Sequence, residues 1–138
     1  MEYWKNENEP IEMFVKMFEK IYEDPELAPG FKKVNQLILF DYTQDGPNCC
    51  FYIDTRAGEL KVGPGKPDED PALVMSLSAD DAHRSWSNKM NAVMAITRKK
   101  IKVKGSATGL LKLAPQLKKI AVIYNGILKE SGKENIIL

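Results

Sequence analysis

The sequence predicts an α+β fold in which helices pack on a sheet that begins as an antiparallel meander. Three observations predict it: an amphipathic helical pattern opens the chain, three β-rich segments with short connections follow, and residues 72–107 combine a strand, helical segments and another strand. With 138 residues and 43% hydrophobic content, we expect one domain over residues 1–138, with a core that needs no covalent or metal staple.

The first helix is predicted over residues 10–22, because Pro10 suits a first helical turn. Apolar side chains recur at helical spacing along one face, at Ile11, Phe14, Val15, Phe18, Ile21 and Tyr22. Met13 and Met17 form a second apolar stripe. We expect it to pack in the core; the alternative is a flexible pocket wall, since an unbranched thioether adapts to different shapes. Residues 23–30, which contain two prolines, are expected to end the helix.

Three strands are predicted next, over residues 34–42, 49–54 and 59–62. Because only short turns separate them, neighbouring strands are expected to be antiparallel. The adjacent Cys49 and Cys50 point to opposite faces of such a strand and are poorly placed to bond to each other. We expect reduced thiols that act as small apolar residues, since neither has the spacing of a metal site or a redox pair.

The rest of the chain is organised around residues 72–107. Residues 72–77 are a short apolar run that predicts a strand buried on both faces. Ser78 and Asp81 resemble a capping box, so a helix is expected to start there. Residues 100–105 alternate lysine with apolar residues before a glycine, which predicts a half-buried strand. The residues between these strands suffice for two short helices.

A helical pattern over residues 107–129 is interrupted by Pro115, which predicts two helices or a sharp kink. The apolar band over residues 117–128 is wider than one helix on a small sheet normally requires, so part of it is expected to face a cavity. The polar tail ends in the apolar residues 136–138, which are expected to dock back on the body.

The net charge of +1 conceals an asymmetric distribution. Seventeen of the nineteen acidic residues lie in residues 1–81, whereas residues 82–129 contain eleven Lys or Arg and no Asp or Glu. Two explanations are open. Either the two halves pair their charges on packing, or a basic face attracts an anionic head group, an acyl-CoA phosphate, an anionic lipid surface or nucleic acid.

Few residues of catalytic type are present, and we predict that the chain is not an enzyme. His83 is the only histidine, which excludes a histidine-rich metal site. Its position in a first helical turn beside Asp80 and Asp81 is typical of a solvated surface histidine. No catalytic triad, phosphate-binding loop or dinucleotide fingerprint occurs, and we expect no metal and no cofactor.

Nucleic-acid binding has one argument, the cluster of cations within residues 98–104. Proteins that bind single strands also place aromatic platforms among their cations, and residues 88–123 contain no Phe, Tyr or Trp. No nucleic-acid partner is therefore predicted.

The compartment is predicted from what the sequence lacks. No run approaches the roughly 18 apolar residues that a membrane span needs, and residues 1–9 are too acidic and polar for a signal peptide. We therefore expect a soluble, cytoplasmic protein.

Apolar side chains with few directed polar groups are concentrated after residue 85. Trp86, Met90, Val93, Met94 and Ile96 lie on short, interrupted helical segments rich in methionine. Such adaptable walls suit a chain-shaped ligand, which needs apolar area more than directed hydrogen bonds. The alternative is that these side chains simply fill the core.

Four segments together resemble the sterol carrier protein 2 (SCP-2) sterol-binding domain family. They are residues 72–81, 89–96, 100–105 and 110–113, whose order and spacing match the strand, two helices, lysine-rich strand and terminal helix of that family. The amino-terminal helix and the meander match as well, so the likeness covers about residues 10–128, which we take as the core of the domain.

The resemblance implies a five-stranded, mainly antiparallel sheet covered by helices, with an apolar tunnel for a fatty acid, an acyl-CoA or a sterol-like ligand, and no covalent chemistry. The expected tunnel-wall residues are Trp86, Met90, Val93, Met94, Ile96, Leu113, Leu117 and Ile120. Lys99, Lys100 and Lys118 are expected to attract an anionic head group. Lys99 stands where the family usually has Gly, and Ser106 where it often has Asp, so the turn into the last strand is expected to differ.

Two hypotheses compete with lipid carriage. The first is a protein-interaction or dimerisation module of the same fold without lipid cargo, because related domains in larger enzymes dimerise or cover a site. The second is an enzyme that uses His83 and a nearby carboxylate. A transient contact with a membrane surface and a homodimer are both compatible with lipid carriage.

Overall fold

The computed structural model describes residues 1–138 and shows six helices packed on a five-stranded sheet. The helices are α1 (Asn8–Glu23), α2 (Ala28–Val34), α3 (Ala79–Trp86), α4 (Ala92–Thr97), α5 (Thr108–Leu111) and α6 (Leu117–Glu130). The strands are β1 (Leu37–Asp41), β2 (Cys50–Asp54), β3 (Lys61–Pro64), β4 (Leu73–Ser76) and β5 (Lys102–Gly105). No helix has both the length and the apolar surface that a bilayer crossing requires.

The sheet has the strand order β3-β2-β1-β4-β5 and is mixed. β1 pairs with β2, β2 with β3 and β4 with β5 in antiparallel fashion, as the short connections predict. β1 and β4 are parallel, with Leu39 opposite Val74. The expected mainly antiparallel α+β architecture is confirmed, with one parallel pair at its centre.

The amino-terminal helix forms as predicted, and its methionine stripe lies in the core. Met13 is 2% exposed and Met17 is fully buried, next to the aromatic side chains of Phe14 and Phe18. Core packing, rather than a pocket wall, is therefore the role of this stripe.

The segment that follows α1 is helical, although a loop and the start of a strand were predicted there. Leu27 and Phe31, each 1% exposed, anchor α2 to the core, and Pro29 occupies its first turn, where proline is tolerated. The helix ends at Asn35, which adopts the left-handed conformation with φ 51°. β1 consequently begins at Leu37 instead of residue 34.

The two short helices predicted between β4 and β5 are present, and each has a side-chain cap. Ser78 Oγ accepts a hydrogen bond from the Asp81 backbone N–H at 3.0 Å, and Asn91 Oδ1 accepts one from Met94 N–H at 3.1 Å. The Asp81 carboxylate pairs with Arg84 at 2.7 Å, so only half of a capping box forms.

β4 is buried on one face only, which corrects the prediction of a strand buried on both. Leu73 and Met75 belong to the apolar core, whereas Val74 and Ser76 on the opposite face are half-buried. The cause is that the core cluster lies on one side of the sheet.

His83 is buried, which corrects the expectation of a solvated surface histidine. Its side chain is fully inaccessible, with Nε2 2.8 Å from the Ile136 carbonyl oxygen and Nδ1 2.6 Å from the Tyr124 hydroxyl. Because a carbonyl only accepts, Nε2 carries the proton and Nδ1 accepts from Tyr124. The hydrogen bond to the Ile136 carbonyl docks the carboxy-terminal tail and buries Ile136, whereas Leu138, which was also predicted to dock, is 41% exposed.

The break at Pro115 and the turn into β5 are both visible in the backbone. A 3₁₀ turn, Ala114–Gln116, separates α5 from α6, which confirms the predicted interruption. Lys99 has φ 61°, the left-handed conformation that glycine adopts most easily, so a non-glycine residue holds this turn.

Candidate functional site

A cavity of about 660 Å³ lies between the helix-covered face of the sheet and the helices of the second half of the chain. Seventeen of its twenty-one lining residues are hydrophobic, so its chemistry is that of a hydrocarbon site. Phe40, Met75 and Ile101 contribute from the sheet side, and Leu117 and Ile120 from α6.

Short elements and small side chains explain why the interior is hollow here. The helices α3, α4 and α5 are short, with eight, six and four residues. Three of the lining side chains in this half of the molecule are single methyl groups, those of Ala82, Ala92 and Ala114. Natural cores normally close such gaps, because an unfilled void forfeits dispersion contacts. The volume is about four times the roughly 150 Å³ of an engineered cavity that admits benzene. A chain-sized guest therefore has room.

The polar lining residues come from one segment, the end of α3 and the loop to α4. They are Ser85, Asn88, Lys89 and Asn91. Asn88, Lys89 and Asn91 are exposed, so they mark the mouth of the cavity. Ser85 Oγ is buried and has no hydrogen-bond partner in the protein. The cavity thus has an apolar interior, and its exposed lining combines these polar groups and one cation with the apolar Val93 and Ala114, which suits an amphipathic guest.

The lining has few titratable side chains, those of Tyr42 and Lys89. No His, Cys, Asp or Glu is among the lining residues. Nowhere in the structure do three or more such residues cluster so that they could hold a metal ion. Burial raises the pKa of the Tyr42 hydroxyl, which lines the cavity, so it stays protonated at neutral pH.

Both cysteines are free and buried, and neither lines the cavity. Burial raises the pKa of Cys49 to about 12 and that of Cys50 above its ordinary value. Their thiols are therefore protonated and unreactive at neutral pH, as expected for small apolar core residues.

Six of the eight side chains predicted for the tunnel wall lie on the cavity: Trp86, Met90, Val93, Leu113, Leu117 and Ile120. Met94 and Ile96 do not line it. Met94 is 48% exposed on the outer side of α4, and Ile96 is half-buried against the core. Contact of the six with a ligand stays a prediction.

The three lysines predicted to attract a head group are exposed and lie outside the cavity lining. They are Lys99, Lys100 and Lys118. Lys89 is the one charged residue in the lining, and sequence reasoning missed it. The sequence gives little indication that Lys89 lines the cavity, because it shows only that Lys89 stands in a polar break between two apolar helical segments.

Sequence reasoning also missed much of the apolar lining. Phe40, Met75 and Ile101 lie in or beside strands whose pattern predicts ordinary core, and Phe31 lies on α2, where no helix was predicted. The alternation of apolar and polar residues identifies the face of a strand that points inward. It does not show whether that face packs on other side chains or borders a cavity.

The two halves of the chain pair few of their charges. Of the eleven Lys and Arg in residues 82–129, only Arg84 and Lys119 pair with carboxylates, at N···O distances from 2.7 to 3.2 Å. The other nine have no carboxylate oxygen within 4.0 Å. Charge pairing between the two halves therefore accounts for only two of the eleven cations, and the attraction of an anionic partner stays a prediction.

Comparison with known proteins agrees with this architecture. The SCP-2 sterol transfer family model matches residues 14–118. Human "Hydroxysteroid dehydrogenase-like protein 2" is 30% identical over 83 residues, which are 59% of this chain and 19% of the human protein. The mouse protein of the same name is 33% identical over 63 residues, 46% of this chain and 13% of its own length. The chain therefore matches only a small part of these relatives.

Solved structures share the fold. The sterol carrier protein domain 2 of Helicoverpa armigera has a TM-score of 0.62 at 23% identity, over 78% of this chain and 85% of that chain. Sterol Carrier Protein 2 from Yarrowia lipolytica in its apo form has a TM-score of 0.56 at 22% identity, over 83% and 86%. With its sheet, its apolar cavity and the match over residues 14–118, this chain belongs to the SCP-2 sterol transfer family.

Proposed function

We propose that this chain binds one long-chain lipid in the cavity and carries or buffers it without covalent chemistry. The observation that carries the proposal is the 660 Å³ apolar cavity, whose polar lining residues come from one segment. Family membership supports lipid binding or transfer in general. A fatty acid, an acyl-CoA or a sterol-like molecule is the cargo we infer.

Burial of the ligand's hydrocarbon chain is the main source of binding affinity. Each methylene moved from water into an apolar site contributes about 0.8 kcal/mol, so ten of them contribute about 8 kcal/mol before the cost of association. Micromolar binding needs about 8 kcal/mol net, so a chain longer than ten methylenes is required to offset an association cost of at least about 4 kcal/mol. The aromatic and aliphatic lining supplies the matching surface.

Lys89 is the head-group residue that we propose in place of Lys99, Lys100 and Lys118. It is the only lining cation, and the amides of Asn88 and Asn91 flank it at the mouth. A carboxylate or phosphate on the ligand would meet a charge-assisted donor there. An acidic group is favoured over a neutral one for that reason.

The absence of catalysis is part of the proposal. His83, the base in the competing enzymatic hypothesis, is outside the lining, and both of its ring nitrogens make internal hydrogen bonds. A His83→Ala variant that loses a measurable turnover of any lipid ester, while it stays folded, would contradict the proposal.

Uptake of a fluorescent fatty acid from solution, together with native mass spectrometry of the purified protein, tests lipid binding. Leu117→Trp enlarges a lining side chain and is expected to weaken uptake roughly tenfold, because it fills part of the space that the chain occupies. Val122→Trp is the matched control on the same helix, since Val122 is 69% exposed and outside the cavity.

Two results would count against the proposal. Wild-type protein that takes up no fatty acid and emerges without lipid contradicts it directly. A stable dimer in light scattering that also excludes lipid favours the interaction or dimerisation module instead.

The cytoplasmic location remains a prediction, which fluorescence microscopy of the tagged protein in cells tests.

A further inference from the structure

The hydroxyl of Ser85 is a buried polar group without a protein partner in the wall of the cavity. Four buried side-chain oxygen atoms make no hydrogen bond, those of Gln36, Ser85, Ser87 and Asn125. Of these four residues, only Ser85 lines the cavity. A serine in a helix can bond its hydroxyl to a carbonyl one turn earlier, and Ser85 does not. Because an unpaired buried hydroxyl costs free energy, its partner is expected to come from outside the chain.

The turn that ends α3 holds Ser85 in a fixed relation to the mouth of the cavity. The Asn88 N–H donates to the Ser85 carbonyl oxygen at 3.0 Å, and the Lys89 N–H donates to that of Arg84 at 2.8 Å. Asn88 has φ 59°, the left-handed conformation, so the turn is a Schellman motif. Its two hydrogen bonds hold the backbone of three polar lining residues, Ser85, Asn88 and Lys89, in one arrangement.

These three residues differ in depth and in chemistry. The Ser85 hydroxyl oxygen is buried, whereas Asn88 and Lys89 are exposed at the mouth. A hydroxyl is uncharged and both donates and accepts hydrogen bonds, whereas an ammonium group only donates and attracts negative charge. A ligand that enters the cavity therefore has one site for an oxygen atom inside the mouth and another for a negative charge at its edge.

We propose that the Ser85 hydroxyl binds the head-group oxygen of the cargo, so that the cavity takes neutral lipids with a terminal oxygen, such as long-chain alcohols and aldehydes, as well as acids; this rests on the proposed lipid-binding function. The oxygen of an alcohol or an aldehyde accepts a hydrogen bond from Ser85. A carboxylate has a second oxygen for Lys89. A pure hydrocarbon leaves the Ser85 hydroxyl unpaired.

Tyr42 carries the other hydroxyl in the lining, and it suits a head group less well. Tyr42 is 1% exposed, and its oxygen is not among the buried oxygens that lack a partner. It follows β1 in the chain and does not belong to the polar segment that forms the mouth. Ser85, by contrast, shares one short turn with Asn88 and Lys89. The oxygen site is therefore assigned to Ser85.

Competition against a bound fluorescent fatty acid tests the proposal with three probes of equal chain length: hexadecanoate, hexadecanol and hexadecane. Ser85→Ala is expected to weaken binding of hexadecanol roughly fivefold, as the loss of one hydrogen bond should, and to leave that of hexadecane within about twofold of wild type. Lys89→Gln is expected to weaken binding of hexadecanoate roughly fivefold and to leave that of hexadecanol within about twofold, because only the acid is charged.

Ser87→Ala is the matched control. Ser87 is 4% exposed and its hydroxyl oxygen also lacks a partner, but it does not line the cavity. Binding of all three probes to Ser87→Ala is expected to stay within about twofold of wild type. Without ligand, Ser85→Ala is expected to unfold at the same denaturant concentration as wild type, because its hydroxyl makes no internal hydrogen bond. A clearly lower midpoint would show that the hydroxyl has a protein partner and would overturn the proposal.

The same measurements separate this proposal from the function on which it rests. Binding of hexadecanoate but not of hexadecanol by wild type overturns this proposal alone. So does an equal change in the binding of hexadecanol and hexadecane by Ser85→Ala. Loss of hexadecanol binding in Tyr42→Phe, with Ser85→Ala like wild type, overturns the assignment to Ser85. Wild type that binds none of the three probes overturns the proposed lipid-binding function and this proposal with it.

Discussion

At the scale of single residues, Lys89 shows how position in space selects one cation among many. Residues 82–129 contain eleven Lys or Arg, and their types and spacing do not distinguish the one that reaches the cavity. The loop between α3 and α4 lies at the rim of the cavity and places Lys89 there. Lys99, Lys100 and Lys118 are the same type of residue but lie outside the lining.

Gly105 is the residue whose substitution should be most damaging at the end of β5. It has φ 100°, and a Cβ atom built there collides with the backbone oxygen of Ala72, the residue before β4. Gly105→Ala is expected to lower the free energy of unfolding by about 2–4 kcal/mol, through backbone strain and the clash together. Chemical denaturation followed by circular dichroism measures it.

Gly58→Ala provides the control for this prediction. Gly58 also has a positive φ, of 73°, but a Cβ atom there has open space around it. Gly58→Ala is expected to lower the free energy of unfolding by about 1 kcal/mol, through backbone strain alone. Equal losses for the two variants would show that the close approach of β5 to β4 contributes nothing to stability.

At the scale of elements, α4 illustrates what helical periodicity leaves undetermined. The pattern predicts a short apolar helix, which is present, but it does not set the rotation of a six-residue helix about its axis. Packing turns Ala92 and Val93 to the cavity and leaves Met94 outside. The prediction therefore names the right helix and two side chains, Met94 and Ile96, that do not line the cavity.

α3 is expected to depend on its side-chain cap. Ser78→Ala removes the acceptor of the Asp81 N–H and should lower the free energy of unfolding by about 1 kcal/mol, or the melting temperature by roughly 3 °C. Ser106→Ala is the control, because Ser106 is exposed and its hydroxyl meets only that of Thr108, at 3.4 Å. A loss with Ser106→Ala as large as that with Ser78→Ala would contradict a capping role for Ser78.

At the scale of the whole molecule, His83 ties three distant parts of the chain together. It lies on α3, accepts from Tyr124 on α6 and donates to the backbone of Ile136 in the tail. Burial lowers the pKa of His83 below its ordinary 6.5, chiefly because a buried imidazolium loses its hydration. Asp80 favours the charged form and Arg84 opposes it, but burial dominates.

The pH dependence of stability follows from this depressed pKa. The unfolded chain binds a proton at His83 before the folded chain does, so stability is full above about pH 6.5 and is lost as the pH falls toward the lower folded pKa. Glu9, Asp24 and Asp54 also have lowered pKa values, but their ordinary values are 4.5 and 3.8, so they act at more acidic pH.

Denaturation curves between pH 5 and pH 8 measure this effect, with His83→Gln as the comparison. The free energy of unfolding of wild type is expected to fall as the pH drops below 6.5, whereas that of His83→Gln is expected to stay nearly constant down to pH 5. Parallel curves for the two proteins would exclude His83 as the responsible group.

Local periodicity and turn chemistry account for most of the elements: an amphipathic α1, the meander, the paired short helices and the break at Pro115 follow from them, whereas α2 does not. Its likeness to a family determined the architecture. The parallel pairing of β1 with β4, the burial of His83 and the cavity were decided by tertiary structure. Each depends on contacts between residues far apart in the chain, and a local pattern carries no information about whether opposing apolar faces meet or leave a void between them.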